Sequence, residues 1–327
     1  MSSPLTVLIP AAGHPALIQR TLESLAVCEK PASYAGTLVV ENGPRCGIEQ
    51  VVGGFASSHG FRYLHVSEAN KSHALNVGLT TLGDDLVVYL DDDVRAAPQL
   101  LTSYAEGAAG IEGGEFYGGP LSIDNEAGKA PDWLRRYLPK SARGWRLHHD
   151  CKTRLGKAKF LGPNWAAFAA DIRRIGGFET RLGPGAHTGA TGQETDAQRR
   201  LEAAGIWPYY LPEAHAWHYV RACCHTSEWI IERARRHGCE WGIKRARRNR
   251  YPRVNRFLYA LRHLEAKTQM RWQRWFCGEK GALHAHYLQA MWQGRLEGLE
   301  LGRMWSEVPR IECRTSSSPQ PLARSAA

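Results

Sequence analysis

Leu5 to Pro10 is an apolar run of strand formers closed by proline, which predicts a buried strand. Ile18, Leu22 and Leu25 then recur at i, i+4 and i+7, the spacing of one helix face. Thr37 to Val40 predicts a second strand, stopped by the turn signal Asn42-Gly43-Pro44. Phe61 to Val66 predicts a third, and Leu75, Leu79 and Leu82 mark another helix. Leu86 to Leu90 is a fully apolar strand that ends abruptly in Asp91-Asp92-Asp93, and a helix follows from about Pro98. Strands alternating with helices imply right-handed βαβ units, hence an α/β fold with a mostly parallel sheet flanked by helices. Ligands bind such sheets beyond the carboxyl ends of the strands. Three polar clusters fall at those ends: Pro10-Ala11-Ala12-Gly13, Glu41-Asn42-Gly43 and Asp91-Asp92-Asp93.

The pattern is less regular further on. Phe116 to Leu121 reads as a strand, Asp124 to Asp150 as polar and turn-rich, and Phe160 to Ala169 as another strand. Asp171 is placed to cap a short helix stopped at Gly176-Gly177. Gly183, Gly185, Gly189 and Gly192 predict a mobile loop, and Gln193 to Ala204 a helix closed by Gly205. Trp207–Leu211 and Ala216–Val220 read as short strands. From His225 to about Gly302 the pattern is helical, and the Ser-rich tail from Cys313 reads as disordered.

Charge divides the chain more sharply than hydropathy does. The formal net charge is +10, and residues 225–312 carry 18 Lys/Arg against nine Asp/Glu. Residues 233–256 hold ten basic residues and one acid, Glu240, and six of the 11 tryptophans lie within 225–312. Three regions are expected: a near-neutral body (1–222), a basic, Trp-rich helical extension (223–312) and a disordered tail (313–327). Such a surface attracts nucleic acid, anionic lipid or phosphorylated substrates, or is simply a solvated helical face. No stretch reaches 18 consecutive apolar residues, and Met1-Ser2-Ser3-Pro4 lacks the basic and apolar regions of a signal peptide. The eight scattered cysteines, with no C-x-x-C pair, read as reduced thiols in a cytoplasmic protein.

Asp91-Asp92-Asp93 carries the strongest chemical signal. Three adjacent carboxylates repel one another, and a hard divalent cation such as Mg²⁺ or Mn²⁺ relieves that repulsion. In an extended segment Asp91 and Asp93 point to one side and Asp92 to the other; the plainer reading is a solvated acidic turn. Gln193-Glu194-Thr195-Asp196 opens a helix, and Glu194 and Asp196 do not share a face of it. Thr191-x-x-Glu194 also fits a capping box, which needs no catalysis. His218, in Trp217-His218-Tyr219, is a packed histidine or a metal ligand, with His215 its competitor. Lys71 and His73 stand where a helix begins, which suits phosphate or ribose contacts.

In this order and spacing the clusters resemble the inverting glycosyltransferases of family 2, which have a GT-A-type, Rossmann-like nucleotide-diphospho-sugar fold. The matching stretches are VLIPAAGHPALIQRTLESL, LVVENGP, NKSHALNVGL, LVVYLDDDV, FLGPNWAAFAADIRRIGGF, GQETDAQRRLEAAG and AWHYV, covering about 5–220. The resemblance implies that the backbone at Pro10, Ala11 and Ala12 and the Glu41 carboxylate hold the nucleobase, typically uracil, beside Asn42 and Lys71. It implies a DxD-type motif, with Asp91 or Asp92 near the ribose and Asp93 on the metal, which His218 completes. Glu194 falls where the family's catalytic base stands, although Gln193 replaces the usual first acid and Asp196 competes for the role. Asn164, Trp165 and the 183–192 loop are implied around the acceptor. The expected partners are a nucleotide-sugar donor and a glycan, lipid-linked or other hydroxyl acceptor, in cell-surface polysaccharide or glycoconjugate synthesis, with no nucleic acid.

Two rival readings are weaker. A sugar-nucleotidyltransferase shares a loop like Pro10–Gly13, but His14-Pro15-Ala16 lacks its further glycine and arginine, and Gln193–Asp196 and His218 are left without roles. A non-catalytic nucleic-acid-binding protein using 233–256 lacks any zinc-finger or RNA-binding signature. The extension itself is expected either to dock on an anionic inner-membrane surface or lipid-diphosphate acceptor, or to pack as helices on the body or on another subunit.

Overall fold

The structure, a computed structural model, describes residues 3–126, 128–156, 160–248 and 252–307. The tail expected from Cys313 lies outside the described residues. The strands are β1 (Leu5–Ala11), β2 (Tyr34–Asn42), β3 (Phe61–Val66), β4 (Leu86–Leu90), β5 (Val94–Ala96), β6 (Glu115–Gly118), β7 (Leu121–Asn125), β8 (Thr153–Arg154), β9 (Asn164–Phe168), β10 (Trp207–Tyr210) and β11 (Ala216–Val220). The helices are α1 (Pro15–Ala26), α2 (Ile48–His59), α3 (Lys71–Thr80), α4 (Leu100–Gly107), α5 (Asp132–Arg135), α6 (Lys140–Arg143), α7 (Ala169–Arg174), α8 (Gln193–Ala203), α9 (Ser227–Arg248) and α10 (Pro252–Glu307).

Eight strands form one sheet in the order β3-β2-β1-β4-β9-β6-β10-β8, and β5-β11-β7 form a second. The neighbours from β3 to β4 are parallel, whereas β9 runs antiparallel to both β4 and β6. All seven residues of β1 are buried because the sheet is covered on both faces. Leu5, Val7 and Ile9 enter one apolar cluster and Leu8 the other, as strand alternation requires. Each such side chain contributes roughly 1.5–3 kcal/mol of burial. Gly78 lets α3 lie against β1, since a Cβ there would sit 2.7 Å from Leu8 Cδ1. This close packing delivers Lys71, at the start of α3, to the carboxyl end of β4.

Four expectations are corrected. The single strand over Phe116–Leu121 is two, β6 and β7, in different sheets. The chain crosses between sheets at Gly119, where a Cβ would lie 1.8 Å from the Ala214 carbonyl oxygen. The turn-rich 124–150 segment holds the short helices α5 and α6. Asp171 is inside α7 rather than capping it, and its Oδ2 accepts from Gly114 N at 2.8 Å. The glycine loop is pinned: Gly183 N donates to Ala190 O at 2.9 Å, and Lys71 N to Pro184 O at 3.1 Å.

The extension is helical as expected, but α10 is not one straight rod. His263 Nδ1 lies 3.3 Å from Gln289 O, and the Tyr259 and Trp292 rings are 5.5 Å apart. A straight helix would separate His263 from Gln289 by about 39 Å, at 1.5 Å per residue. The run therefore doubles back between His263 and Gln289, and the extension is a three-helix bundle among the described residues. α9 and the returning limb are parallel and nearly touch along glycines. A Cβ on Gly294 would sit 1.9 Å from Arg235 O, and one on Gly298 2.1 Å from Cys239 O. Ile230 and Leu283 pack on Leu134, Leu138 and Val220 of the body. Cys239 and Ile243 pack on Leu182 and Ala190. Helix packing against the body is thus the arrangement seen. The six cysteines described are all free, and no helix among the described residues is long and apolar enough to cross a membrane.

Candidate active site

The apolar strand β4 ends at Leu90, and Asp91–Asp93 form a turn before β5 instead of an extended segment. Thr21 pins the turn: its Oγ1 donates to Asp92 O at 2.9 Å and accepts from Val94 N at 3.1 Å. The three carboxylates consequently face three different elements. Asp91 is ion-paired with Lys71. Asp92 Oδ2 accepts from Ala12 N at 3.1 Å. Asp93 Oδ1 faces His218 Nε2, on β11, at 3.3 Å. Burial, then the charge of Asp93, pushes the Asp92 carboxyl up to about 7.

Helix α8 delivers Glu194 to the same place. Pro10, Lys71, Tyr89, Asp91, Trp165 and Glu194 all line one small hollow beyond the ends of β1 and β4. Glu194 Oε2 is sealed from solvent and has no hydrogen-bond partner. Burial, the largest influence, raises its pKa above the ordinary glutamate value against the pull of the Lys71 cation. Such a buried acceptor is costly to leave unpaired, and sites of this kind concentrate where groups act on a ligand. Tyr89 Oη in the hollow is likewise buried without a hydrogen-bond partner. Asp196 points elsewhere. Its carboxylate pairs with Arg200 at 2.8 Å, lies 3.9 Å from Arg247 and does not line the hollow.

The capping box is also corrected. The residue before α8 is Gly192, at φ +88°, with no side-chain cap. Thr191 Oγ1 instead donates to Glu240 Oε2, on α9, at 2.9 Å. Glu240 is buried, paired with Lys244 and 3.4 Å from His237 Nδ1.

Three further candidates are engaged by hydrogen bonds where they stand. Glu41 is fully buried. Its Oε1 accepts from Cys46 N at 2.8 Å and its Oε2 from the Tyr63 hydroxyl, so it does not present a carboxylate to the hollow. Asn42 Nδ2 donates to Ala11 O at 2.9 Å and ties the ends of β1 and β2 together. Asn164 donates both amide hydrogens, to Pro120 O and Ala214 O, and accepts from Tyr104 Oη. Trp165 does line the hollow, stacked on Tyr89 with ring centroids 4.6 Å apart.

Arg233, from α9, was not singled out by the sequence. Burial, the largest influence, lowers its pKa, while the charges of Glu194 and Glu240 oppose the drop. A cation of the extension therefore feels the field of the hollow. The density of arginines over 233–256 was the available signal, but it did not say which of them faces inward.

Asp93 and His218 are the residues that could hold a divalent cation. His218 Nδ1 lies 2.7 Å from Ser141 O, a pure acceptor, so Nδ1 carries the hydrogen and Nε2 is turned toward Asp93. A lone pair at Nε2 and a carboxylate oxygen 3.3 Å away repel unless a proton or cation stands with them. No cluster of three or more His, Cys, Asp or Glu suited to a metal exists among the described residues. Two protein ligands nonetheless suit Mg²⁺-like ions, which keep waters and bind substrate phosphates.

The family model described as "Glycosyltransferase like family 2" matches residues 3–239, beyond residue 222 and into α9. No curated protein is similar enough in sequence to count as a relative. Among solved structures, the mannosyltransferase PcManGT of Pyrobaculum calidifontis, in complex with GDP-Man and Mn²⁺, superposes with a TM-score of 0.54 at 17% identity, over 94% of this chain and 89% of that one. S. aureus TarS 1-349, in complex with UDP-GlcNAc, gives 0.52 at 14% identity, over 72% of this chain and 66% of that one. GalNAc-T7 with UDP, GalNAc and Mn²⁺ gives 0.50 at 15% identity, over 67% of this chain and 44% of that one. The chain also spans 39% of another S. aureus TarS structure. These likenesses show a GT-A fold.

Proposed function

The chain belongs to the glycosyltransferase-like family 2, and we propose that it moves a sugar from a UDP-type donor to an acceptor hydroxyl, with inversion at the anomeric carbon and dependence on a divalent cation. Family membership leaves the nucleotidyltransferase and non-catalytic readings without support. The observation that carries the proposal is the convergence of Glu194, Lys71 and Asp91 on one hollow, with the Glu194 acceptor unpaired. Uridine nucleotides in TarS and GalNAc-T7 support the donor type, and Mn²⁺ in PcManGT and GalNAc-T7 supports the cation.

In this reading the backbone from Pro10 to Ala12 and the Asp92 carboxylate bound to it border the nucleoside. Lys71 lies within reach of the diphosphate. Asp93 and His218 would hold the cation, whose charge stabilises the departing phosphates. Glu194 removes the proton from the acceptor hydroxyl as that oxygen attacks the anomeric carbon. The bond from that carbon to the diphosphate oxygen breaks on the opposite face, and the nucleoside diphosphate leaves with the electron pair. Arg233 adds positive charge near Glu194. Trp165 and Tyr89 form the apolar floor. The acceptor is a glycan or lipid-linked hydroxyl used in cell-surface polysaccharide or glycoconjugate synthesis, and the reaction runs in the cytoplasm at the inner face of the membrane. A panel of nucleotide sugars, scored by Mn²⁺-dependent thermal shift and by slow donor hydrolysis, tests the proposal. A uridine sugar should stabilise and be hydrolysed only with the cation present. Equal shifts with and without Mn²⁺, or none across the panel, would sink it.

A further inference from the structure

The first limb of α10 carries two opposed faces. Toward the bundle it buries Asn255 and Ala266 and sets Tyr259 and His263 against the returning limb. The opposite face has no covering among the described residues, yet it is apolar. Phe257, Leu258, Leu261 and Leu264 are between 47% and 68% exposed. Toward the reversal, Trp272, Trp275 and Phe276 are 64%, 85% and 65% exposed. At 100° per residue, these seven side chains and Val254 fall within an arc of about 120°, centred directly opposite the buried face. The bundle does not need this stripe, since its contacts lie on the other side of the limb.

Charge decides what covers it. Residues 253–276 contain six Arg/Lys and one acid, Glu265. On a helical wheel Arg253, Lys267 and Arg271 fall on one flank of the stripe, beside Arg256, which is paired with Glu300 at 3.2 Å. A second copy laid on this face would bring two such rows together, like charge against like. An anionic bilayer offers both complements: acyl chains for the aliphatic and aromatic side chains, and phosphate headgroups for the cations. Tryptophan also favours the boundary between the two.

We propose that the outward face of residues 253–276 lies on the surface of an anionic lipid bilayer, holding the enzyme in the plane of the membrane. This deepens the functional reading and rests on it only for the choice of the inner leaflet. The bundle carries Glu240 and Arg233 as well, so the surface that meets lipid is rigidly joined to the element that meets the candidate site.

The test uses the full chain with vesicles of phosphatidylcholine alone or with one quarter phosphatidylglycerol. Flotation should recover the protein with the anionic vesicles at least ten-fold more than with the neutral ones, and raised salt should weaken the binding. The double variant Trp275→Ser/Phe276→Ser should lose at least ten-fold in vesicle affinity. Its melting temperature and donor hydrolysis should stay unchanged, because these side chains lie outside both the core and the hollow. Brominated lipid should quench tryptophan fluorescence of the wild type more than of the variant. Equal recovery with both vesicle types, or equal recovery of wild type and variant, would overturn the proposal. So would a wild-type dimer in sedimentation velocity that the variant dissolves, which would assign the face to a second copy. Lack of donor hydrolysis with vesicle binding intact would instead count against the catalytic reading.

Discussion

Thr191 Oγ1 donates to Glu240 Oε2 at 2.9 Å, joining the last part of the glycine loop to the C-terminal extension. Three residues beyond Thr191 stands Glu194. Between them Gly192 is held at φ +88°, and a Cβ there would lie 2.4 Å from the Glu240 carboxylate. The extension therefore sets where α8 begins. Thr191→Val removes one hydrogen bond to a buried charge and should cost about 1–3 kcal/mol. Urea denaturation reads the stability loss. A fall in kcat larger than any rise in the donor KM is expected alongside it, because the displaced group is the candidate base.

The same carboxylate makes stability depend on acid. Burial favours the neutral form of Glu240, but the His237 hydrogen bond and the Lys244 charge outweigh it, and its pKa falls to about 2. A depressed folded-state pKa means that the contribution is complete above the ordinary glutamate value, near 4.5, and is lost as pH falls toward 2. Its size is roughly 3 kcal/mol. The melting temperatures of wild type and Glu240→Gln should differ most above pH 4.5 and converge as the pH approaches 2. A constant gap across that range would contradict this account.

Glu194→Gln keeps the shape of the side chain and removes its basicity. Transfer should drop by roughly 10²- to 10⁴-fold. Nucleotide affinity, measured by calorimetry, should stay within about two-fold, since differences that small lie under 0.5 kcal/mol. Because burial raises the pKa of Glu194, the acid limb of the kcat profile should lie above the ordinary glutamate range. Lys71→Met removes the cation that opposes this shift and should move the limb higher still.

Asp93→Ala tests the cation site separately. The variant should lose the Mn²⁺-dependent part of its nucleotide affinity and keep the part measured without metal. Calorimetry of the nucleoside diphosphate with and without Mn²⁺ reads both; an unaltered Mn²⁺ effect would move the cation away from Asp93.

Gly298→Val would force the returning limb of α10 off α9, since even a Cβ sits 2.1 Å from Cys239 O. Overpacking of this kind costs about 1–3 kcal/mol or more. Thermal melts should show the loss, and transfer activity should fall with it although residue 298 is far along the chain from Glu194.

What could be read from the sequence was what depends on near neighbours. β1, the helical spacing of Ile18, Leu22 and Leu25, and the apolar strand ahead of Asp91 are local patterns, and the structure repeats them. What the sequence did not show are partners brought from afar. Glu41 looked available at a strand end, but Tyr63, 22 residues on, captures it. Thr191 looked like a cap for its own helix, but its partner is 49 residues away. Asn164 stood beside a plausible acceptor pocket, and groups 44 to 60 residues distant engage its amide. Periodicity likewise predicted helix from His225 to about Gly302 and gave no sign that the run folds back on itself.

The dependence of α8 on Glu240 has a consequence for how the enzyme comes into being. A nascent polypeptide completes its nucleotide-facing sheet by Val220, yet the residue that fixes Gly192 has not emerged, and the glycines that clamp α9 are made later still, at 294 and 298. Chemical competence should therefore appear only after residue 298 has been made, so that a product stalled or truncated before it would bind donor without transferring its sugar.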